Sequence, residues 1–170
     1  MITITEMKRE QMHEFFRIFQ YDPETFEDSS VNNIYAYNPE TVDHYYDNNL
    51  QQSKQHYAIM LNDQVIGDIY LKHNLEQKNS CEMAIHMAND WFKGKGYGTQ
   101  AERMILEYAF CALKMDVVYA DTLIKNKRSQ RVLRKAGFKE VHSDNGRIYY
   151  ECRYDDWTAE TSRKTGSEFI

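Results

Sequence analysis

The sequence predicts a mixed α/β sandwich in one domain, and three observations lead there. The chain is 170 residues long, within the range of about 100 to 200 residues for a single domain with its own core. Its apolar periodicity switches repeatedly between two and 3.6 residues, in the order β-α-α-β-β-β-α-β-α-β-β. Hydrophobic residues make up 42% and charged residues 28%, with only seven Gly and two Pro, which excludes disordered, collagenous and low-complexity classes.

Ile2 and Ile4 alternate as a short strand, and Met12, Phe15, Phe16 and Phe19 then recur at helical spacing over residues 6 to 20. Asn38-Pro39-Glu40 opens a second helix, as a cap followed by proline does, and the stretch between the two helices reads as irregular. Two β-like runs, 57–61 and 65–71, flank Asn62-Asp63-Gln64 as a hairpin, and a third run spans Cys81 to Ala88. Residues 99 to 115 put Ala101, Met104, Ile105, Tyr108, Ala109, Ala112 and Leu113 on one helical stripe. Thr99 and Glu102 fit a capping box at its start. A strand over 117–124, a helix from Ser129 to Ala136 ended by Gly137, and a hairpin across Asp144-Asn145-Gly146 complete the order. Residues 156–170 are read as a C-terminal tail of the single domain 1–170.

Charge and cysteine usage narrow the function. Acids outnumber bases by 26 to 21, a net −5, which argues against a nucleic-acid surface built on bulk positive charge. Cys81, Cys111 and Cys152 are odd in number and show no metal-ligand spacing, so no disulfide framework and no metal site are expected. The start of the chain lacks a secretory pattern and no apolar run is long enough to span a membrane, so no membrane association and a cytoplasmic location are expected.

Lys93-Gly94-Lys95-Gly96-Tyr97-Gly98-Thr99 lies between a strand and the strongest helix. Unpaired N–H groups and the helix dipole at such a turn suit an anion, and glycine lets the backbone approach a phosphate; a tight strand-to-helix turn is the plainer reading. The loop matches neither GxxxxGK[ST] nor GxGxxG, which disfavours ATP and NAD. It resembles the pyrophosphate loop of the GNAT superfamily of acetyl-CoA-dependent N-acetyltransferases, although Lys93 replaces the usual Gln or Arg. The stretch Asn126 to Phe138, with Ser129, Leu133 and Gly137, resembles that family's later helix motif.

The resemblance covers about residues 2 to 155 and is nearest to the ribosomal-protein N-terminal and spermidine acetyltransferase branch. It implies a mostly antiparallel central sheet flanked by helices, and acetyl transfer by direct attack in a ternary complex. It further implies an acetyl-CoA site built from His86, Met87, Ala88, Lys93, Gly94, Lys95, Gly96, Tyr97, Gly98, Thr99, Asn126 and Ser129. Glu82, eleven positions before Lys93, matches the strand glutamate that acts through water as a base, or else is a solvent-facing strand residue. Ser129 matches the serine placed near the CoA sulfur, or is a plain helix-surface serine; Leu133 stands where the spermidine branch has a tyrosine. His86 shares the side of Glu82 and either relays a proton or is held structurally.

No Lys or Arg occurs from Ile18 to Ser53, where Asp22, Glu24, Glu27, Asp28, Glu40, Asp43 and Asp47 accompany five tyrosines. Such a segment suits a cationic amine acceptor, a peptide N-terminus or a small molecule, or is a solvated acidic face. Lys125, Lys127, Arg128, Arg131, Arg134 and Lys135 make a basic stretch that suits the phosphates of CoA, or could touch RNA. A CoA-binding regulatory or scaffold protein is the competing function. The sequence leaves the oligomeric state open, a homodimer included.

Overall fold

The computed structural model describes residues 1–25, 35–52 and 54–166, without the side chains of 160 and 162–166. Its strands are β1 (Ile2–Glu6), β2 (Lys54–Leu61), β3 (Gln64–His73), β4 (Ser80–Met87), β5 (Val117–Leu123), β6 (Lys139–Asp144) and β7 (Arg147–Arg153). Its helices are α1 (Arg9–Ile18), α2 (Pro39–Gln51), α3 (Tyr97–Cys111), α4 (Lys127–Ala136) and α5 (Tyr154–Gly166). The strands form one seven-stranded sheet in the order β1-β2-β3-β4-β5-β7-β6.

All neighbours in this sheet are antiparallel except β4 and β5, which run parallel and pair only at Ser80–Val117, Cys81–Val118 and Glu82–Tyr119. Beyond that pairing the two strands part, although β4 continues to Met87 and β5 to Leu123. Unpaired backbone in a sheet interior is costly unless something else fills the gap, so the opening is where a ligand can enter.

Alternation sorts β4 cleanly: Cys81 and Met83 are buried while Glu82 and His86 are exposed on the opposite face. The buried face of β4, β5 and β7, with Val118, Ala120, Ile148, Tyr150 and Cys152, lies in one core with Ala101, Ile105, Leu106, Ala109 and Phe110 of α3.

Several elements differ from the sequence reading for identifiable reasons. Helix α3 starts at Tyr97, with Gly96 as its cap at φ +85°, so Thr99 and Glu102 do not form a capping box. Its buried stripe runs through Glu102, Leu106 and Phe110, whereas Tyr108 is exposed; a buried Glu in the stripe is what obscured the phase. The segment read as a tail carries α5, where Trp157 packs on Phe110 with ring centroids 5.4 Å apart. Residues 167–170 of that segment lie outside the described residues. Between α1 and α2 the described part is irregular apart from a 3₁₀ turn at Pro23–Thr25. Among the described residues no helix is long and apolar enough to cross a membrane, and no cluster of three or more His, Cys, Asp or Glu could hold a metal ion.

Candidate functional site

Where β4 and β5 part, two cavities meet. A passage of about 230 Å³ runs through the opening, bounded by Tyr70, Ala84, His86, Asp121, Ser129 and Leu133. A crevice of about 120 Å³ adjoins it on the side of α3 and α4 and includes Ile85, Met87, Lys93, Gly98 and Arg128. Thr25, Ile85, His86, Glu102, Asn126 and Ser129 border both, so a ligand lying in the crevice would reach the passage at these six residues.

The loop into α3 folds as its glycines require. Gly94 and Gly96 have φ of +75° and +85°, a region that other residues enter at a cost, and a Cβ added at either would meet, within 4 Å, none of the described residues beyond its chain neighbours. The loop surface above these two residues is therefore open, and the N-terminus of the 15-residue α3 faces it. Lys95 lies outside both cavities with its Nζ 4.3 Å from the Trp91 ring centroid, and Tyr97 and Thr99 belong to the first turn of the helix. Gly98 has ordinary backbone geometry and approaches Val132 of α4.

Four charges gather at the crevice mouth. Lys93 Nζ lies 2.6 Å from Asp22 and 2.9 Å from Asp90, and Arg128 Nη1 lies 3.4 Å from each. Burial opposes ionisation of Asp22, but its hydrogen bonds from Lys93 and the Glu24 backbone together outweigh this and hold the carboxyl below its usual range. Two cations and an adjacent helix N-terminus fit the phosphates of a coenzyme A, provided the acids give way.

Other expected ligands divide. Asn126 caps α4 by accepting from the Ser129 N–H at 3.0 Å, and the half-buried Ser129 borders both cavities. Met87 lines the crevice, whereas Ala88 is fully buried, with its N–H donating to Ile66 and its carbonyl accepting from Gln20 at 2.8 Å, so its one backbone donor is already engaged. Glu82 is exposed at the last paired position before the opening, outside the passage, and lines a neighbouring concavity with Tyr119, Asp121 and His142.

A polar row that sequence reasoning missed crosses three strands. Lys54 Nζ donates to Asn49 Oδ1 at 3.3 Å, Asn49 Nδ2 donates to His56 Nδ1 at 3.3 Å, and His56 Nε2 donates to Asp68 Oδ2 at 2.6 Å. On the other side, His86 Nδ1 donates to Asp68 Oδ1 at 3.1 Å. Asp68 is buried, yet the charge of His86 and the two histidine hydrogen bonds overcome burial and keep it ionised far below the usual carboxylate range. Almost half of the His86 side chain is exposed, but the protein packed around the rest of the ring would by desolvation lower its pKa; the charge and hydrogen bond of Asp68 prevail and raise it. With Nδ1 committed to Asp68, the free Nε2 of His86 is the lone pair left for the passage. Pairing of β3 with β4 puts Asp68 directly opposite His86, and pairing of β2 with β3 puts His56 opposite Tyr70, diagonal to Asp68, and that is why spacing in the sequence does not announce them.

Much of the acidic segment is already paired. Arg9 bridges Asp43 at 2.7 Å and Asp47 at 2.5 Å, and Asp22 is engaged as above; Glu27 and Asp28 lie outside the described residues. The basic stretch lies along α4 and its start, and there Arg134 also pairs with Glu140.

Comparison with known proteins converges on one family. The profile of the acetyltransferase (GNAT) domain matches residues 2–139. Of the curated relatives, "Putative ribosomal N-acetyltransferase YdaF" of Bacillus subtilis (strain 168) is 28% identical over 132 residues, covering 72% of this chain and 71% of that protein. Over a shorter stretch of 96 residues, "Probable N-acetyltransferase YjcK" of the same strain is 30% identical, covering 55% and 53%. The aminoglycoside acetyltransferase AAC(6')-Ib in complex with coenzyme A superposes with a TM-score of 0.75 at 20% identity, covering 95% of this chain and 99% of that one. A chimera of spermidine N-acetyltransferase SpeG from Vibrio cholerae and hSSAT gives 0.71 at 15% identity, over 92% and 98%.

Proposed function

Because the chain belongs to the GNAT family of acetyltransferases, we propose that it moves an acetyl group from acetyl-CoA to a cationic primary amine by direct attack across the β4–β5 opening. The observation that carries this reading is the continuity of crevice and passage. One end has the phosphate-compatible loop, and the other has an unencumbered imidazole nitrogen.

The residues that would hold the cofactor are the loop from Lys93 to Gly98, Arg128 and the edge of β4 at Ile85 to Met87. Bound there, acetyl-CoA supplies a thioester whose thiolate, with a pKa near 8.5, leaves readily. The demanding step is therefore on the amine. An amine of pKa near 10.4 is neutral in about one part in a few thousand at pH 7, so removing its proton is worth roughly 4 to 5 kcal/mol.

His86 takes that proton on Nε2, while Asp68, fixed by His56, holds the ring and stabilises the imidazolium formed. Glu82 projects from the same face of β4, but four steps along the strand separate the two by about 13 Å, so both cannot touch one small amine. Among the described residues Glu82 has no ion pair, and we assign it the attraction of the ammonium form outside the passage. We assign Ser129, which borders the passage, the hydroxyl that would hydrogen-bond the leaving sulfur.

A covalent acetyl-cysteine route has little support. Cys81 and Cys152 are buried, burial pushes the Cys81 thiol up to about 12, and no cysteine lines either cavity. Initial velocities at several fixed concentrations of amine and acetyl-CoA test the route. Intersecting double-reciprocal lines are expected; parallel lines would replace direct attack by a covalent intermediate.

A further inference from the structure

Helix α3 buries one residue that its packing does not explain. Its core-facing stripe is Ala101, Ile105, Leu106, Ala109 and Phe110, all apolar, except that Glu102 stands among them with no exposed surface. Among the described residues neither of its carboxyl oxygens has a hydrogen-bond partner. A buried polar group without a partner is costly, and leucine would fill the same stripe at no such cost. Glu102 nevertheless borders both the crevice and the passage, so its unpartnered carboxyl lies beside the space a ligand would fill although water does not reach it.

We propose that Glu102, in its protonated form, is the anchor for the carbonyl-bearing pantetheine–thioester arm of an acyl-CoA, donating its O–H to a carbonyl oxygen of that arm. The proposal rests on the crevice being the acyl-CoA site. Burial pushes the carboxyl up to about 8, so the donor form predominates at neutral pH. The charged groups around the two cavities are engaged elsewhere: His86 of β4 with Asp68, Arg128 of α4 and Lys93 with Asp22, and Asp121 of β5 with Arg147 of β7. None of them supplies the partner that Glu102 lacks.

Two ligands separate the ends of the cofactor. Acetyl-CoA carries the arm, whereas adenosine 3′,5′-bisphosphate carries phosphates and no arm. Titration calorimetry on the full chain should show Glu102→Leu binding acetyl-CoA about tenfold more weakly than wild type, with bisphosphate affinity unchanged. Glu102→Gln, which keeps an N–H donor of similar shape, should bind acetyl-CoA within about threefold of wild type. The unliganded leucine variant should melt at least about 2 °C higher, because an unpaired buried acid has been removed. Glu102→Met offers the same comparison if the leucine form folds poorly.

Unchanged acetyl-CoA affinity in the apolar variant would overturn the assignment. So would equal losses for both ligands together with a lower melting temperature, which marks a structural role. Wild type that binds neither ligand would remove the acyl-CoA reading of the crevice, and the Glu102 assignment with it.

Discussion

Replacing Asp68 by Asn probes the polar row at its centre. The asparagine keeps the shape but offers one oxygen and one NH₂ where two histidine nitrogens now donate, so one of the contacts at 2.6 and 3.1 Å turns from attraction to donor-against-donor. Hydrogen bonds to a charged group contribute about 1.5 to 3 kcal/mol each, and removing one partner of a buried charged set costs about 3 to 5 kcal/mol. Stability should fall by an amount in that range and be measurable by urea titration, while the apolar core keeps the fold. The pH profile is the sharper reading. In wild type His86 is a base only above its raised pKa, so kcat/KM should climb as pH passes upward through that value. Without the Asp68 charge the influence that raises that pKa is gone, so the rising limb should move to lower pH while the plateau falls by about 10² to 10⁴. An unmoved limb, or a plateau equal to wild type, would refute His86 as the base held by Asp68.

Three further outcomes follow from the same geometry. Asp22→Asn removes an acid from beside Lys93 and Arg128, which at about 4 Å in water corresponds to about 1 kcal/mol, so acetyl-CoA should bind about fivefold more tightly at low salt, and the gain should shrink in 0.5 M salt. Gly96→Val puts a β-branched residue at φ +85° although none of the described residues beyond its chain neighbours lies within 4 Å of its Cβ; acetyl-CoA affinity should be lost, and an unchanged calorimetric affinity would show that the loop backbone is not a ligand. Glu102 keeps its proton to about pH 8 when folded but loses it near pH 4.3 when unfolded, so its contribution to stability is lost progressively as pH rises between these values. Melting curves of wild type should therefore fall more steeply over that window than those of Glu102→Leu, and parallel curves would contradict the buried-acid account.

The order of elements was legible because each carries its own period and punctuation, such as Asn38-Pro39 at α2 and Gly137 after α4. The glycine loop was legible for the same reason: its signal lies within seven consecutive residues. What escaped is what needs tertiary pairing. His56 and Asp68 become neighbours of His86 only through strand register, and Glu102 looked like a cap because a glutamate three residues after a threonine ordinarily is one. The pairing of the acidic segment was also not legible in isolation, since Arg9 of α1 and Lys93 of the loop, far away in sequence, engage Asp43, Asp47 and Asp22.

The central claim, acetyl transfer to an amine through the β4–β5 opening, is tested most directly by thiol release. Purified protein with acetyl-CoA is assayed against peptide N-termini, polyamines and aminoglycosides, with mass spectrometry of the acceptors. Free thiol should appear with at least one amine, in equal molar amount with an acceptor heavier by one acetyl group, and should fall by about 10² or more in His86→Gln. Tight binding of acetyl-CoA with no thiol released to any amine would contradict the account and leave a CoA-binding regulatory protein in its place.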